Sequence, residues 1–165
     1  MSKTGMGFEY TITHRHKGAI VSVEKVHNLI PIEGLNYIGE GILRAGAQPL
    51  AIYAGLYKAA HTPTPADVMA TFPAVAVEQT NYVSATRPVV TLAAFSNGEA
   101  DNTAAKIVFT GTLGGETAAG GFVATSSAKG STVGPLLSAV RFPSPKDLTP
   151  DDDIELTVVF SMVSV

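Results

Sequence analysis

Alternating apolar and polar residues near the start of the chain predict two strands. Residues 7–14 place Phe8 and Ile12 on one face and polar side chains on the other, and residues 19–28 alternate in a similar way. A period of two is typical of a half-buried strand. Residues 14–18 are polar and end in glycine, which is typical of a hairpin turn. The two strands are therefore expected to pair antiparallel.

The apolar spacing changes to a helical period after Pro31. Four residues recur at steps of three or four and predict one apolar stripe: Ile32, Leu35, Ile38 and Ile42. Proline suits the first turn of a helix, whereas each interior glycine costs about 0.5–1 kcal/mol relative to alanine. We therefore predict a short helix that is held by packing, with its apolar stripe closing the core of a β-sandwich.

The rest of the chain alternates between predicted strands and loops. The strands are predicted at 50–57, 74–84, 88–96, 104–112, 122–127, 135–142 and 154–163. A loop with one helical turn is predicted at 61–73, an irregular glycine-rich segment at 113–121 and a rigid polar connection at 143–153. This pattern predicts a mainly β chain, a β-sandwich or jelly-roll-like fold with one short helix after the second strand. Residues 1–165 are expected to form a single domain.

The composition and net charge limit the kinds of partner and the cellular location that the chain can be expected to have. Charged residues make up 15% of the chain, against an ordinary share of about 25%. Either a partner covers part of the surface, or the abundant Ala, Gly, Thr and Ser make the surface neutral without making it adhesive. The net charge of −3 argues against nucleic acid as a partner. We also expect no secretory signal and no membrane span, because no apolar run is long enough.

Histidines near the predicted hairpin are the first candidates for metal ligands. His14 and His16 would share one face of a strand, and His27 could join them. Zinc needs three or four ligands in fixed geometry, and the neighbouring Arg15 and Lys17 oppose the binding of a cation. We therefore expect a solvated turn at this position.

Three further segments contain residue types that occur in metal-binding, catalytic or nucleotide-binding sites. Asp151–Asp153 lacks the spacing of a calcium-binding loop, and we interpret it as an exposed polar turn before the last strand. Ser126, Ser127 and Lys129 do not have the spacing of a Ser/Lys nucleophile. The glycine-rich segment 113–121 matches neither a P-loop nor a dinucleotide fingerprint, and the chain has no cysteine. We expect no enzyme activity and no cofactor.

A series of motifs between residues 25 and 165 resembles small structural virion proteins of tailed bacteriophages. The matching positions are His27–Pro31 with Gly34 and Asn36, then Tyr53, Gly55 and Leu56, Thr86–Pro88, Ser126–Gly130, Ala139–Phe142, Asp151–Asp153 and Thr157–Phe160. Their order carries the resemblance, because each motif alone is a turn or a strand without a reactive group. The chain departs from the group at Asp152, where glycine is expected, and by the lack of tryptophan near Tyr53.

The resemblance implies a structural component of the virion, in the first place a capsid cement or decoration protein. The expected partners are the major capsid protein and copies of the chain itself, in a dimer or trimer. The expected location is the capsid surface, after assembly in the host cytoplasm. Two alternatives remain open: a protein of the tail or head–tail junction, and a carbohydrate-binding β-sandwich module.

Residues 1–6 are predicted to form a flexible arm. Lys3, Met6 and Phe8 are the candidate partner-binding residues, because an arm with exposed apolar side chains can add as a strand to the edge of a neighbouring sheet. The alternative is a frayed terminus that binds nothing.

Overall fold

The computed structural model describes residues 5–44, 46, 48–49 and 51–162. Its helices and strands are β1 (Met6–His16), β2 (Ala19–His27), α1 (Ile32–Leu43), β3 (Tyr53–Tyr57), α2 (Phe72–Val75), β4 (Glu78–Gln79), β5 (Glu99–Asp101), β6 (Ile107–Thr110), β7 (Thr117–Ala124), β8 (Leu136–Asp147) and β9 (Asp152–Met162). One turn of 3₁₀ helix, Thr103–Ala105, precedes β6. The predicted mainly β fold, with one short helix after the second strand, is confirmed.

The first sheet is built around the two ends of the chain. Its strand order is β2-β1-β9-β5, and β6 pairs with another part of β9. β1 pairs antiparallel with β9 from Met6–Met162 to His16–Asp152. The predicted hairpin between β1 and β2 is confirmed: Lys17 and Gly18 have φ angles of 49° and 80°. A two-residue hairpin turn of this type requires positive φ at both central residues.

The second sheet has the strand order β4-β3-β7-β8 and faces the first sheet. Alternate residues of both sheets point inward, and Tyr10 and Ile12 of the first sheet share one core with Leu56 and Val123 of the second. This arrangement is that of a β-sandwich, in which two inner faces interdigitate. The predicted architecture is therefore found, although the bounds of several strands differ.

The outer face of the second sheet carries a separate apolar cluster. Tyr57 and Phe122 point outward from β3 and β7, and they pack against Met69 and Phe72 of the segment that contains α2. The rings of Phe72 and Phe122 meet edge-on at 5.4 Å between centroids. Part of the chain between β3 and β4 therefore forms a cap over the sandwich.

Glycines in the second sheet make room for aromatic rings. A Cβ atom added at Gly120 would lie 2.1 Å from the ring of Tyr57, and one at Gly55 would lie 2.3 Å from the ring of Phe122. Each ring lies across the backbone of a glycine on the adjacent strand, which covers that strand without needing a side chain there. The prediction that 113–121 is irregular is therefore wrong for residues 117–121, which form the first part of β7.

The predicted strand at 74–84 is wrong in most of its length. α2 occupies the first part, with Pro73 in its first turn, and β4 contains only Glu78 and Gln79. Val77, between them, has a φ angle of 55°. That conformation interrupts an extended backbone, so the apolar run cannot continue as one strand.

The predicted strand at 88–96 is also wrong, because this segment crosses from one sheet to the other. The N–H of Val90 donates to the carbonyl of Ile52 at 2.8 Å, beside β3. The N–H of Ala93 donates to the carbonyl of Asp101 at 2.7 Å, in β5. A segment that bonds to two facing sheets cannot form a continuous ladder with either.

The predicted polar connection after residue 142 is instead the second half of β8. Its register passes from the pair Gly120–Arg141 to the pair Ala118–Lys146, so Pro143 and Pro145 lie in a bulge. A proline at a bulge removes no ladder hydrogen bond. The prediction of a connection holds for the short turn between β8 and β9.

Helix α1 is held by its backbone and one carboxylate. Gly34 is buried against β8, and a Cβ atom there would lie 2.7 Å from the carbonyl oxygen of Leu137. The Glu33 carboxylate accepts the N–H groups of Met69 and Leu136, each at 2.8 Å. The glycine therefore allows the helix to approach the sheet closely, in agreement with the prediction that packing holds this helix.

The predicted orientation of the apolar stripe is wrong. Ile32, Leu35 and Ile42 are 55%, 42% and 62% exposed, and Ile38 is half-buried. Close approach at Gly34 turns the opposite side of the helix toward solvent. The stripe exists, but most of it lies on the surface.

Two glycine-to-alanine variants of α1 should change stability in opposite directions. Gly34→Ala should lower the free energy of unfolding by about 1–3 kcal/mol, because its Cβ would overlap backbone atoms of β8. Gly39→Ala meets no atom within 4 Å and should raise it by about 0.5–1 kcal/mol. Urea unfolding of both variants checks this, and a neutral or stabilising Gly34→Ala would contradict the close approach.

Candidate interaction surface

An apolar groove of about 280 Å³ lies between α1 and the first sheet. Its floor is formed by buried residues of both sheets, among them Phe8, Leu137 and Phe160. Ile42 of α1 and Phe95 of the crossing segment stand on its two sides and are largely exposed. The lining is apolar apart from Tyr37 and Gln48. An open apolar groove of this kind favours an apolar partner over a charged ligand.

Three aromatic rings fix the shape of the groove at one end. The ring of Phe160 lies 4.7 Å from that of Phe8 and 5.7 Å from that of Phe95, measured between centroids. Phe8 and Phe160 are opposite each other in the β1–β9 ladder, so the backbone register sets their contact. The exposed Phe95 therefore rests on a rigid base.

The exposed stripe of α1 extends the groove. Ile32, Leu35, Ile42 and Leu43 are between 42% and 82% exposed, and helical spacing places them on one side of α1. Ile42 belongs to both the stripe and the groove. We call the groove and this stripe together the groove face. It is the part of the described chain where predicted core residues are instead available to a partner.

The predicted partner-binding residues have different positions. Lys3 lies outside the described residues. Met6 is at the start of β1, already paired with Met162, and it is partly exposed. Phe8 is 4% exposed, so the prediction that it is an exposed side chain of an arm is wrong. Its ring is the floor of the groove, and whether it touches a partner stays a prediction.

Two of the motifs that carry the phage resemblance meet in a buried ionic cluster. Arg87 is 1% exposed and donates from Nε and Nη2 to the carboxylate of Glu78, at 2.9 and 2.7 Å. It also donates to the carbonyls of Ser126 and Ser131, at 3.0 and 3.1 Å. The N–H of Gly130 donates to Glu78 as well, at 2.8 Å. The cluster ties the loop after β7 to the segment after β4.

Lys129 completes this tie. Its ammonium donates to the carbonyls of Thr80 and Tyr82, at 2.8 and 2.9 Å, and lies 3.7 Å from the centre of the Tyr82 ring. Burial lowers the pKa of Lys129, and the charge of Glu78 acts in the opposite direction. Ser126 donates to the hydroxyl of Ser131. The pattern Ser126-Ser127-Ala128-Lys129 therefore has a structural role.

The acidic turn is different from the exposed turn that the sequence predicted. Asp152 is buried and accepts hydrogen bonds from Thr149 and from the rings of His14 and His16, the latter two at 3.3 and 2.8 Å. Burial opposes ionisation of Asp152, but the bonds from Thr149, His16 and His14 outweigh it and lower its pKa to about 2. His14 is also buried, so the expected solvated turn is wrong for this residue.

His61 belongs to a second histidine–carboxylate pair. Its Nε2 lies 2.8 Å from the carboxylate of Asp67, which also accepts the N–H and hydroxyl of Thr64. The ring packs edge-on against Tyr57 and Phe72. Thr64 and Asp67 close one turn within the predicted loop at 61–73, and the histidine joins that turn to the apolar cap.

Across residues 5–44, 46, 48–49 and 51–162 no three His, Asp or Glu side chains are arranged to hold a metal ion. No helix in that part of the molecule is long and apolar enough to cross a membrane.

Comparison with known proteins finds no protein-family model, no curated protein and no solved structure that matches the chain. The resemblance to phage virion proteins therefore rests on the order of its motifs.

Sequence reasoning missed the groove face and the partner of Arg87. The stripe of α1 was visible, but a stripe does not say which side of a helix meets the sheet. Glu78 lies only nine positions before Arg87, yet no periodic pattern links the two residues. The available signal was an arginine within an otherwise uncharged stretch, because an arginine that becomes buried needs a paired carboxylate.

Breaking the Arg87–Glu78 pair should be strongly destabilising. Arg87→Met should lower the free energy of unfolding by about 3–5 kcal/mol, because it leaves the Glu78 carboxylate buried without its partner. Lys106→Met, which removes the exposed 3.9 Å pair with Glu155, should cost less than about 1 kcal/mol. Urea unfolding measures the free energy of unfolding of both variants. Equal losses would show that the buried Arg87–Glu78 pair contributes no more to stability than the exposed pair.

Asp152 should make stability depend on acid pH. Its folded pKa lies below that of an unfolded aspartate, so its contribution is full above about pH 4 and is lost as pH falls toward 2. The wild type should lose roughly 2 kcal/mol through this group across that window. Asp152→Asn should be less stable at pH 6 and approach the wild type at pH 2, whereas Asp151→Asn at an exposed position should follow the wild type throughout. A constant gap between wild type and Asp152→Asn from pH 6 to 2 would contradict the assignment.

Proposed function

We propose that the protein is a structural component of a tailed-phage virion, and specifically a capsid decoration protein that binds joints between major capsid subunits. The groove face is the surface that meets the capsid. No chemical step is involved: the protein acts by covering apolar surface at a joint and holding neighbouring subunits together. The exposed apolar groove face is the observation that carries this proposal.

The position of the groove face on the fold supports a docking role. Its floor includes Phe8 and Phe160, which are fixed in the β1–β9 ladder, and its rim residues Ile42 and Phe95 are exposed. A rigid floor with exposed apolar rim residues loses little conformational freedom when a partner covers it. Central aromatic and aliphatic residues of this type commonly carry most of the binding energy of an interface.

The chemistry of the surface also supports a structural partner. Only 15% of residues are charged, which leaves the sequence poor in groups that would steer small charged ligands. A decoration protein gains from many equivalent joints, because several modest contacts on one particle add up to stable attachment. The motifs that resemble phage proteins lie in turns, strands and the Arg87 cluster, which suits a role that depends on shape rather than on a reactive group.

Binding to phage heads tests this function. Undecorated heads from a phage whose genome encodes the chain should pellet the wild-type protein. Ile42→Glu should weaken the apparent affinity at least about tenfold, because it would place a charge in a covered apolar contact. Val133→Glu is the matched control, because Val133 is also exposed and lies outside the groove lining.

Each outcome assigns the protein to one class. Pelleting with heads that Ile42→Glu reduces and Val133→Glu does not reduce supports a decoration protein. Binding to tails or to head–tail connectors, with none to heads, contradicts the capsid location and favours the tail alternative. Binding to neither particle, together with retention on glycans, contradicts the virion role and favours a carbohydrate-binding module.

A further inference from the structure

The sheet edges of the sandwich differ in how they are protected. An uncovered edge strand presents free N–H and C=O groups, and native proteins shorten, cover or interrupt such edges to prevent pairing with other chains. The first sheet ends at β2 on one side and at β5 and β6 on the other, and the second ends at β4 and β8.

Two edges are closed by other parts of the chain. Beside β6, the N–H of Val83 donates to the carbonyl of Thr110 at 3.0 Å, and beside β5 the N–H of Ala93 donates to Asp101 at 2.7 Å. β8 is bridged by Leu29, which exchanges two backbone hydrogen bonds with Ala139, each at 3.1 Å. Further along, β8 carries Pro143 and Pro145, which cannot donate to a ladder.

The remaining second-sheet edge is short, whereas β2 is long. β4 contains two residues and β2 contains nine, without a proline. β2 pairs with β1 on one side, and no strand of the described chain is hydrogen-bonded to its other side. β8 approaches that side only through the Leu29–Ala139 bridge and through the bonds of Ser144 and Lys146 to Glu24. β2 is therefore the extended edge whose outward N–H and C=O groups have no partner strand in the described part of the fold.

The backbone register shows which groups of β2 face outward. The N–H of Asn28 donates to the carbonyl of Phe8, and the register continues as Glu9–His27 and Tyr10–Val26. Hydrogen bonds in an antiparallel pair use alternate residues. The even-numbered residues from 22 to 28 therefore bond to β1, and the N–H and C=O groups of Val23, Lys25 and His27 point to the open edge.

Side chains on this edge are more apolar than an unpaired edge usually allows. Ile20, Val21 and Val23 are 56%, 59% and 55% exposed. The charges nearby are already paired: Lys25 lies 3.1 Å from Glu9, and Glu24 lies 2.5 Å from Lys146. β-branched residues and neutralised charges are features of a strand that packs beside another strand.

We propose that β2 pairs antiparallel with β2 of a second copy of this chain, about a two-fold axis at Val23. The two first sheets then form one continuous sheet across a dimer. The Val23 residues of both copies face each other and exchange hydrogen bonds. The groove face contains no residue of β2, so it remains free in this dimer, and the inference does not depend on the function proposed above.

Charge disfavours the registers centred on Glu24 and Lys25. In a two-fold sheet a residue must face its own copy, because side chains opposite each other lie on the same face. An axis at Glu24 would oppose two glutamates, and an axis at Lys25 would oppose two lysines, which is unfavourable. An axis at Val23 opposes valine to valine, Ser22 to Glu24, and Val21 to Lys25. Val21 is the extra residue of a bulge, since His14 pairs with Ser22 and Arg15 with Ile20. An axis at Ser22 would need Val21 as a regular partner of Val23, and the bulge disfavours that pairing.

Oligomeric state measured by light scattering and sedimentation tests the dimer. The wild-type chain should be a concentration-dependent dimer. Val23→Lys should raise the dimer dissociation constant at least about tenfold, because it opposes two lysines at the axis. Val108→Lys is the matched control, since Val108 is also an exposed valine on the outer face of the first sheet, on the far side from β2, and should leave the dimer unchanged.

A cysteine variant tests the register without relying on a disruptive charge. The chain has no cysteine, so Val23→Cys introduces one thiol per copy. Opposite residues of a hydrogen-bonded antiparallel pair have Cα atoms about 5.5 Å apart, within the range that a disulfide spans. Mild oxidation should therefore give a covalent dimer of Val23→Cys and none of Val108→Cys, with thermal unfolding used to confirm that both variants are folded.

Three results would overturn the inference. A wild-type chain that is monomeric at every concentration has no such dimer. A dimer that persists in Val23→Lys, or that leaves Val23→Cys without a crosslink, uses another surface. A trimer also contradicts it, because a two-fold strand pair joins two copies only.

Discussion

The pairing of β1 with β9 is the contact on which most of the structure depends. It joins the two ends of the described chain, with Met6 opposite Met162 and His16 opposite Asp152. One end of this ladder sets Phe8 against Phe160 and so forms the floor of the groove. The other end brings His14 and His16 to the buried carboxylate of Asp152. Two distant features are therefore positioned by a single register, and a slip by one residue would displace both.

Several parts of this fold could be predicted from sequence because they depend on local patterns. The alternation in β1 and β2 and the glycine of the hairpin turn specify an antiparallel pair without information from elsewhere. Predictions failed where a distant contact decides the outcome. The glycine-rich part of β7 is a strand because Tyr57 and Phe122 cover its glycines, and 88–96 is not a strand because it crosses between sheets. Neither cause is visible in the segment itself.

The groove face was hidden from sequence reasoning for a related reason. A stripe of apolar residues normally marks the buried side of a helix, but in α1 the contact with the sheet is made at Gly34. Backbone contact at a glycine leaves no apolar signal, so the stripe was assigned to the wrong side. The Arg87 cluster was hidden because its carboxylate comes from a segment predicted to be a strand. In both cases the sequence indicated one side of the contact, the stripe of α1 or Arg87, but gave no signal of what that side contacts.

Closed and open edges place different constraints on the surface of this sandwich. Three kinds of protection occupy the other edges, namely covering segments, prolines and short length. Leaving β2 open therefore contrasts with the treatment of every other edge in the described chain. The groove face and β2 lie on separate parts of the first sheet, so a contact at one does not block the other. A dimer through β2 would carry two groove faces, and two linked sites bind a repetitive surface far more tightly than one, provided that their spacing matches the repeat. The open edge would therefore join two copies, so that each dimer presents two modest apolar sites to the same repetitive surface.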